Sequence, residues 1–357
     1  MAADPVVPEP PPGAEVADLG VAQFPQPGTG PLLRVRGLCA EYDSGERPVI
    51  AVDRVDLDVF AGEFVGIVGE SGCGKSTLLF AIAQLLSPPA SITAGSVEFA
   101  GRDLVAMNDR ELAPVRWREL SVVMQSAMNA LNPVRDLRHQ FTDVMRAHGE
   151  SSAARIDQRS REVMHLVGID AAHLRSYPHQ LSGGMRQRAM IAMALLFTPD
   201  LVIMDEPTSA LDVVAQRSLM LQIKELQQEL GFAVLFVTHD MSLVSHFSDR
   251  LMVMYAGQAV EVGQTRAVFD HPSHPYSQGL LDAFPSIHGA RTALEGIPGA
   301  PPDLGNPPPG CRFQPRCPLA YEPCATVAPD LYEVDGVQSR CLLHSERYRP
   351  DRVEGRQ

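Results

Sequence analysis

Lysine is nearly missing from this chain. Of its 357 residues only Lys75 and Lys224 are lysines, against 28 arginines. The two cations differ physically, the ammonium being a compact point charge, so a lysine kept at position 75 marks a place to look. Positive charge as a whole is short: 30 Lys and Arg face 43 Asp and Glu, a formal charge of −13. Sequence-independent nucleic-acid binding needs the opposite sign, and so does electrostatic attachment to an anionic membrane surface. No apolar run reaches the ~18 residues that span a bilayer, so any membrane role runs through a partner. Residues Met1–Pro31 contain no Lys or Arg and no sustained apolar stretch, unlike a signal peptide. Their Pro, Gly, Ala and acidic composition predicts a disordered tail. Cysteine is sparse and unevenly placed: Cys39 and Cys73 stand alone, while Cys311, Cys317, Cys324 and Cys341 crowd the last fifth. That is not a secreted disulfide framework. In the cytosol, the compartment expected here, clustered cysteines more often mean metal than disulfide.

The bulk composition, 45% hydrophobic and 20% charged, is that of a globular chain. The length suffices for a core without disulfides. Leu32–Phe60 predicts short strands broken at Asp43–Pro48. Phe64–Val68 is a compact apolar run between turn signals and reads as a buried strand. Lys75–Leu86 is apolar at helical spacing and stops at Ser87-Pro88-Pro89. Further strands are expected at Gly95–Ala100, Ser121–Met124, Leu201–Met204, Phe232–Val237, Leu251–Tyr255 and Gln258–Val262. Helices are expected over Gly183–Phe197 and Asp212–Leu230, with a polar helical block at Arg135–Tyr177. Such alternation predicts an α/β fold with a mostly parallel sheet between helices. After Val268 the chain becomes Pro-rich, with one short helix expected at Tyr276–Phe284.

Gly69-Glu-Ser-Gly-Cys-Gly-Lys75-Ser76 matches G-x-x-x-x-G-K-[ST], between a predicted strand and a predicted helix. Glycines let the backbone curl so that successive N–H groups face a phosphate, and the helix adds its positive end. Lys75 would reach the β/γ phosphates and Ser76 would ligate Mg²⁺. Asp205-Glu206 closes an apolar strand, where an acid holds Mg²⁺ in phosphate-loop proteins. Glu206 is then placed to polarise an attacking water. Leu181-Ser182-Gly183-Gly184 opens a helix and offers either a second anion site or only an N-cap.

The order of the phosphate loop, Leu181–Gly184, Asp205-Glu206, Ser209-Ala-Leu211-Asp212 and His239 resembles the ATP-binding cassette ATPases over about Leu32–Val268. The resemblance implies a P-loop NTPase with an antiparallel β subdomain and an inserted helical subdomain. The domains would be a tail at 1–31, a cassette at 32–268 with the helical subdomain at 135–182, and an extension at 269–357. It implies that two cassettes sandwich two ATP molecules, each phosphate loop facing Ser182, Gly183 and Gly184 of its neighbour. Gly69, Ser71, Gly72, Gly74, Lys75, Ser76 and Thr77 would cradle ATP, and Tyr42 would stack on adenine. Gln125 would sense the Mg²⁺ held with Ser76 and Asp205, and His239 would meet the γ-phosphate. In a departure from many importers, Gln125 is followed by Ser126-Ala127-Met128 in place of Asp-Pro.

His274-Pro275-Tyr276, the Pro-rich Ile297–Pro309 and Gly310-Cys311-Arg-Phe…Arg316-Cys317-Pro resemble the oligopeptide/dipeptide/nickel importer subgroup. There the four cysteines are associated with a [4Fe–4S] cluster, for which thiolates are the expected ligands. Their spacing lacks the Cys-x2–4-Cys knuckle of a zinc ribbon. Zinc and reduced structural thiols are the alternatives. The subgroup implies an ATPase subunit that works with a second ATPase, two permease subunits and an extracytoplasmic substrate-binding protein. It would sit peripherally at the cytoplasmic face of the membrane. Peptide is the expected cargo, with oligosaccharide or nickel as alternatives. A cassette acting on the ribosome or DNA is a remote alternative, disfavoured by the single cassette and the acidic balance.

Overall fold

The computed structural model describes residues 30–45, 47–125, 130–209, 211–283 and 296–349. Most of the expected N-terminal tail, and Ser126–Met128, lie outside the described residues.

In chain order the strands are β1 (Leu33–Tyr42), β2 (Val49–Val59), β3 (Phe64–Val68), β4 (Ala90–Phe99), β5 (Arg102–Asp103) and β6 (Leu120–Val123). Then follow β7 (Leu201–Asp205), β8 (Ala233–Val237), β9 (Arg250–Tyr255), β10 (Gln258–Gln264), β11 (Tyr332–Val334) and β12 (Val337–Ser339). The antiparallel sheet runs β2-β1-β4-β5. The large sheet runs β11-β12-β10-β9-β3-β8-β7-β6. In it β6, β7, β8, β3 and β9 are parallel, and β10, β12 and β11 continue antiparallel.

The burial of each strand follows from its sequence. β3 and β8 are apolar throughout, β7 is apolar up to its last residue Asp205, and all three are buried at every position, as central parallel strands must be. β1 buries Leu33, Val35, Leu38 and Ala40 between half-buried or exposed neighbours, the mark of a sheet with one wet face. β4 is longer than Gly95–Ala100, because Ser91, Thr93 and Ala94 are solvated and hide the alternation.

One core joins the antiparallel sheet and the helix Lys75–Ile82 to one face of the large sheet, through Leu33, Val52, Leu78, Phe99 and Leu235. The other covers the opposite face, through Phe64, Phe141, Val163, Ile191 and Phe236. It receives the helical block, which is two helices, Leu137–Ala147 and Ala153–Leu166, followed by two 3₁₀ turns. Each helix begins where a side chain caps it: Asp136 accepts from the His139 N–H and Ser152 from the Arg155 N–H.

The parallel registers fix where the chemistry can sit. Ile67 lies opposite Val237, and Val237 opposite Asp205. The residues that follow β3, β7 and β8 therefore emerge side by side at one edge of the sheet, the usual ligand edge of an α/β fold.

The extension is not a separate body. β12 pairs with β10 through Glu261↔Ser339 and Val262↔Gln338, lengthening the cassette sheet. The fully buried Glu261 carboxylate accepts from the Ser273 and His274 N–H groups. His274 is the N-cap of the helix Pro275–Asp282, its Nδ1 accepting from the Tyr276 N–H at 3.0 Å. Burial lowers the His274 pKa to about 3. The unfolded chain would bind that proton near pH 6.5 and the folded chain would not. This histidine therefore stabilises the fold fully above about pH 6.5 and loses about 1.4 kcal/mol per pH unit below it. Thermal melts between pH 7.5 and 5.5 should show this loss, and His274→Asn, which keeps an N-cap acceptor without a proton to gain, should reduce it. An unchanged pH slope in the variant would refute the assignment.

Candidate active site

The turn after β3 requires glycine. Gly69 has φ 152°, and a Cβ there would lie 2.2 Å from the Met254 carbonyl oxygen. Gly74 has φ 104°, and a Cβ there would lie 2.0 Å from the Ala51 carbonyl oxygen. The helix Lys75–Ile82 starts directly at this turn, so its free N–H groups face the curled loop. The Lys75 ammonium is buried and donates to the carbonyls of Gly69 (2.8 Å) and Glu70 (2.9 Å). One residue on, Ser76 Oγ donates to Asp205 Oδ1 at 2.9 Å. Thr77 is buried and its hydroxyl lies 3.1 Å from Tyr42 Oη, so Tyr42 stands beside this helix.

Asp205 and Glu206 are adjacent in sequence but differ in surroundings. Asp205 ends β7 and is buried; burial pushes its carboxyl up from the ordinary range while the Ser76 hydrogen bond pulls it down. Glu206 has φ 44°, a left-handed conformation that turns it off the strand. Its Oε2 accepts from Gln125 Nε2 at 2.6 Å, and its Oε1 lies 3.2 Å from His239 Nδ1. Both carboxylate oxygens are thus held, one by Gln125 two residues past β6 and one by His239 two residues past β8. A phosphate turn, a serine–aspartate oxygen pair and an oriented carboxylate meet at one sheet edge. That arrangement suits an anion with a divalent cation and a water attacking the anion.

Other expected residues stand elsewhere. Ser182 caps the helix Gly183–Ala194, its Oγ accepting from the Met185 N–H at 3.3 Å. Among the described residues no hydrogen bond joins Ser182, Gly183 or Gly184 to the phosphate loop. Nothing lies within 4 Å of where a Gly184 Cβ would be. Asp212 caps the helix Val213–Leu230 through the Ala215 N–H.

The expected metal cluster fares differently. Cys311, Cys317, Cys324 and Cys341 are free thiols. Among the described residues no group of three or more His, Cys, Asp or Glu is arranged to hold a metal ion. The thiols nonetheless sense one another. Burial first, and neighbouring thiols after it, push Cys341 to about 12 and Cys311 to about 11.

Sequence reading missed Glu70 as a structural partner. It occupies a variable loop position, yet its carboxylate receives both Arg316 terminal nitrogens at 2.7 and 2.9 Å. Arg312, one residue after Cys311, likewise pairs with Asp53 at 2.6 Å. Arginines flanking cysteines were visible in the sequence; their acidic partners more than 240 residues away were not.

Among the described residues no helix is long and apolar enough to cross a membrane. Residues 52–209 match the ABC transporter family model, and residues 260–324 match the oligopeptide/dipeptide transporter C-terminal region. The chain is 40% identical over 318 residues to the dipeptide transport ATP-binding protein DppD of Caldanaerobacter subterraneus subsp. tengcongensis, covering 88% of this chain and 98% of that protein. It is 42% identical over 300 residues to the oligopeptide transport ATP-binding protein OppD of Escherichia coli, covering 84% and 89%. The ATP-binding cassette MJ0796, solved as a dimer in a post-hydrolysis state with ADP and Pi, superposes with a TM-score of 0.59 at 29% identity, over 66% of this chain and 99% of that one. With the cassette fold and both regions matched, the chain belongs to the ABC transporter family, as an ATPase of the oligopeptide/dipeptide transport ATP-binding group.

Proposed function

We propose that this chain hydrolyses ATP to drive import of oligopeptides or dipeptides through a membrane permease. The observation that carries the reading is the Glu206 carboxylate, fixed between Gln125 and His239 beside the Ser76–Asp205 pair. Gly69, Ser71, Gly72 and Gly74 shape the turn that would receive the phosphates. Lys75 would pass from the loop carbonyls to the β- and γ-phosphate oxygens. Tyr42 would stack on adenine above Thr77.

Ser76 and Asp205 present hard oxygen donors 2.9 Å apart, a fit for Mg²⁺, which would neutralise phosphate charge. Glu206 would take a proton from water as the water oxygen attacks the γ-phosphorus and the bond to ADP breaks. Gln125 and His239 would keep its oxygens aimed, and His239 would meet the γ-phosphate.

Among the described residues Ser182, Gly183 and Gly184 make no hydrogen bond to the loop of their own chain, which supports a second cassette as the partner that receives them. The C-terminal match supports peptide as cargo. With it come two permease subunits, an extracytoplasmic substrate-binding protein and a place at the cytoplasmic face of the membrane.

The four cysteines support an iron–sulfur cluster as a further cofactor of the extension. Burial and neighbouring thiols raise Cys311, Cys317 and Cys341, although among the described residues no group of three or more is arranged to hold a metal ion. Cys311, Cys317, Cys324 and Cys341 would hold it, and bound iron would offset the mutual repulsion of their thiolates.

Glu206→Gln should bind ATP with little change and hydrolyse it about 10²- to 10⁴-fold more slowly, the contribution of a general base. Phosphate release measured beside nucleotide binding checks this, and normal turnover in the variant would remove Glu206 from the role. Anaerobic purification should yield a brown protein with about four irons and four sulfides per chain. A colourless protein with one zinc or no metal would end the cluster reading and leave the ATPase reading intact.

A further inference from the structure

Glu70 is an oddity on electrostatic grounds. It places a carboxylate inside the loop that would receive a triphosphate, where a negative charge repels the ligand. Every polar group of Glu70 is nevertheless engaged. Its N–H donates to Tyr276 Oη at 2.9 Å, and its carbonyl accepts from Lys75. Its carboxylate takes the fork of Arg316, a geometry that fixes direction as well as charge.

Arg316 is itself locked in place. It is 7% exposed and donates to the carbonyls of Pro298 (2.8 Å) and Ile297 (3.3 Å) and to Tyr255 Oη (3.3 Å). Its guanidinium lies over the Tyr255 ring, which packs with Tyr276 and Phe313. A second arm reaches the same loop. Arg312 pairs with Asp53 and donates to the Ala256 carbonyl. Gly257, next to Ala256, donates its N–H to the Cys73 carbonyl at 2.9 Å. The segment from Cys311 to Cys317 therefore backs the phosphate loop at two points.

We propose that Arg316 is a positioning residue for nucleotide binding: it neutralises Glu70 and turns it away from the phosphates, so the extension sets the ATP affinity of the cassette. This rests on the reading of the loop as the ATP site. The reason for an acid in the loop is then its grip on the extension. The neutral pair is the binding-competent form.

The test is a double-mutant cycle read as nucleotide affinity, by titration of the full chain with Mg-ATP, and as KM and kcat. Arg316→Met should weaken ATP affinity about tenfold through the freed carboxylate, with kcat within twofold. Glu70→Gln alone should bind ATP as well as the parent or better, since it leaves a cation near the phosphates. The Glu70→Gln/Arg316→Met pair should recover affinity to within about threefold of Glu70→Gln, and Arg316→Lys should fall between parent and Met. A purely structural role predicts the reverse: Glu70→Gln weakens binding and the double variant is no better than Arg316→Met. Either of those results, or unchanged affinity in folded Arg316→Met, overturns the proposal. Should Arg316→Met not fold, Glu70→Gln decides alone. A parent chain that binds no ATP would instead overturn the functional reading.

Discussion

A backbone can aim several N–H groups at one point only by entering conformations that side chains resist, and this fold is organised around the place where it does so. Gly69 and Gly74 turn through positive φ while the carbonyls of Met254 and Ala51 press where a Cβ would stand. These carbonyls belong to β9 and β2, one from each sheet. The two sheets therefore have to meet at the loop, and the packing of Val52, Ile67, Leu78 and Met254 in one shared core is what brings them there. The helix Lys75–Ile82 is the common element, with its start at the loop and its apolar length between the sheets.

The same edge separates two carboxylates by environment, a general device for giving neighbouring acids different tasks. Asp205 remains in the strand, buried against Ser76. Glu206 leaves the strand through a strained angle and is held at both oxygens by groups from β-strand ends on either side. The strain is local and the restraint is shared, which is how a strained residue persists in a native fold. Around this centre, charge is balanced by arginines of the extension. Arg316 faces Glu70 and Arg312 faces Asp53, so acids that would oppose an anionic ligand are neutralised from behind.

Much of the cassette was legible in the sequence because its signals are local. The all-apolar runs at Phe64–Val68, Leu201–Met204 and Phe232–Val237 can only be doubly covered strands. The phosphate-loop spacing specifies its own turn. Gln125, Glu206 and His239 were each singled out by the family pattern for separate roles; that both Gln125 and His239 touch the Glu206 carboxylate was not in the sequence. The extension was legible as a family signature and in its helix Pro275–Asp282, but not in its strands. β11 and β12 are three residues each, too short for a period to show, and they exist by pairing with β10. Glu70 carries no signal in the motif, since its partner is 246 residues away. The cysteines declared a donor type but not a geometry, and among the described residues no group of three or more is arranged to hold a metal ion.

The proposed function divides labour at one sheet edge: the turn would hold phosphate, Asp205 the metal, and Glu206 would act on water. The most direct measurement is calorimetric titration of ATP into the chain and its Asp205→Asn variant, each with Mg²⁺ and with chelator. Equal affinity of the two proteins is expected in chelator. A gain in affinity on adding Mg²⁺ is expected for the parent alone. An Asp205→Asn variant that gains as much from Mg²⁺ as the parent would remove Asp205 from the metal site.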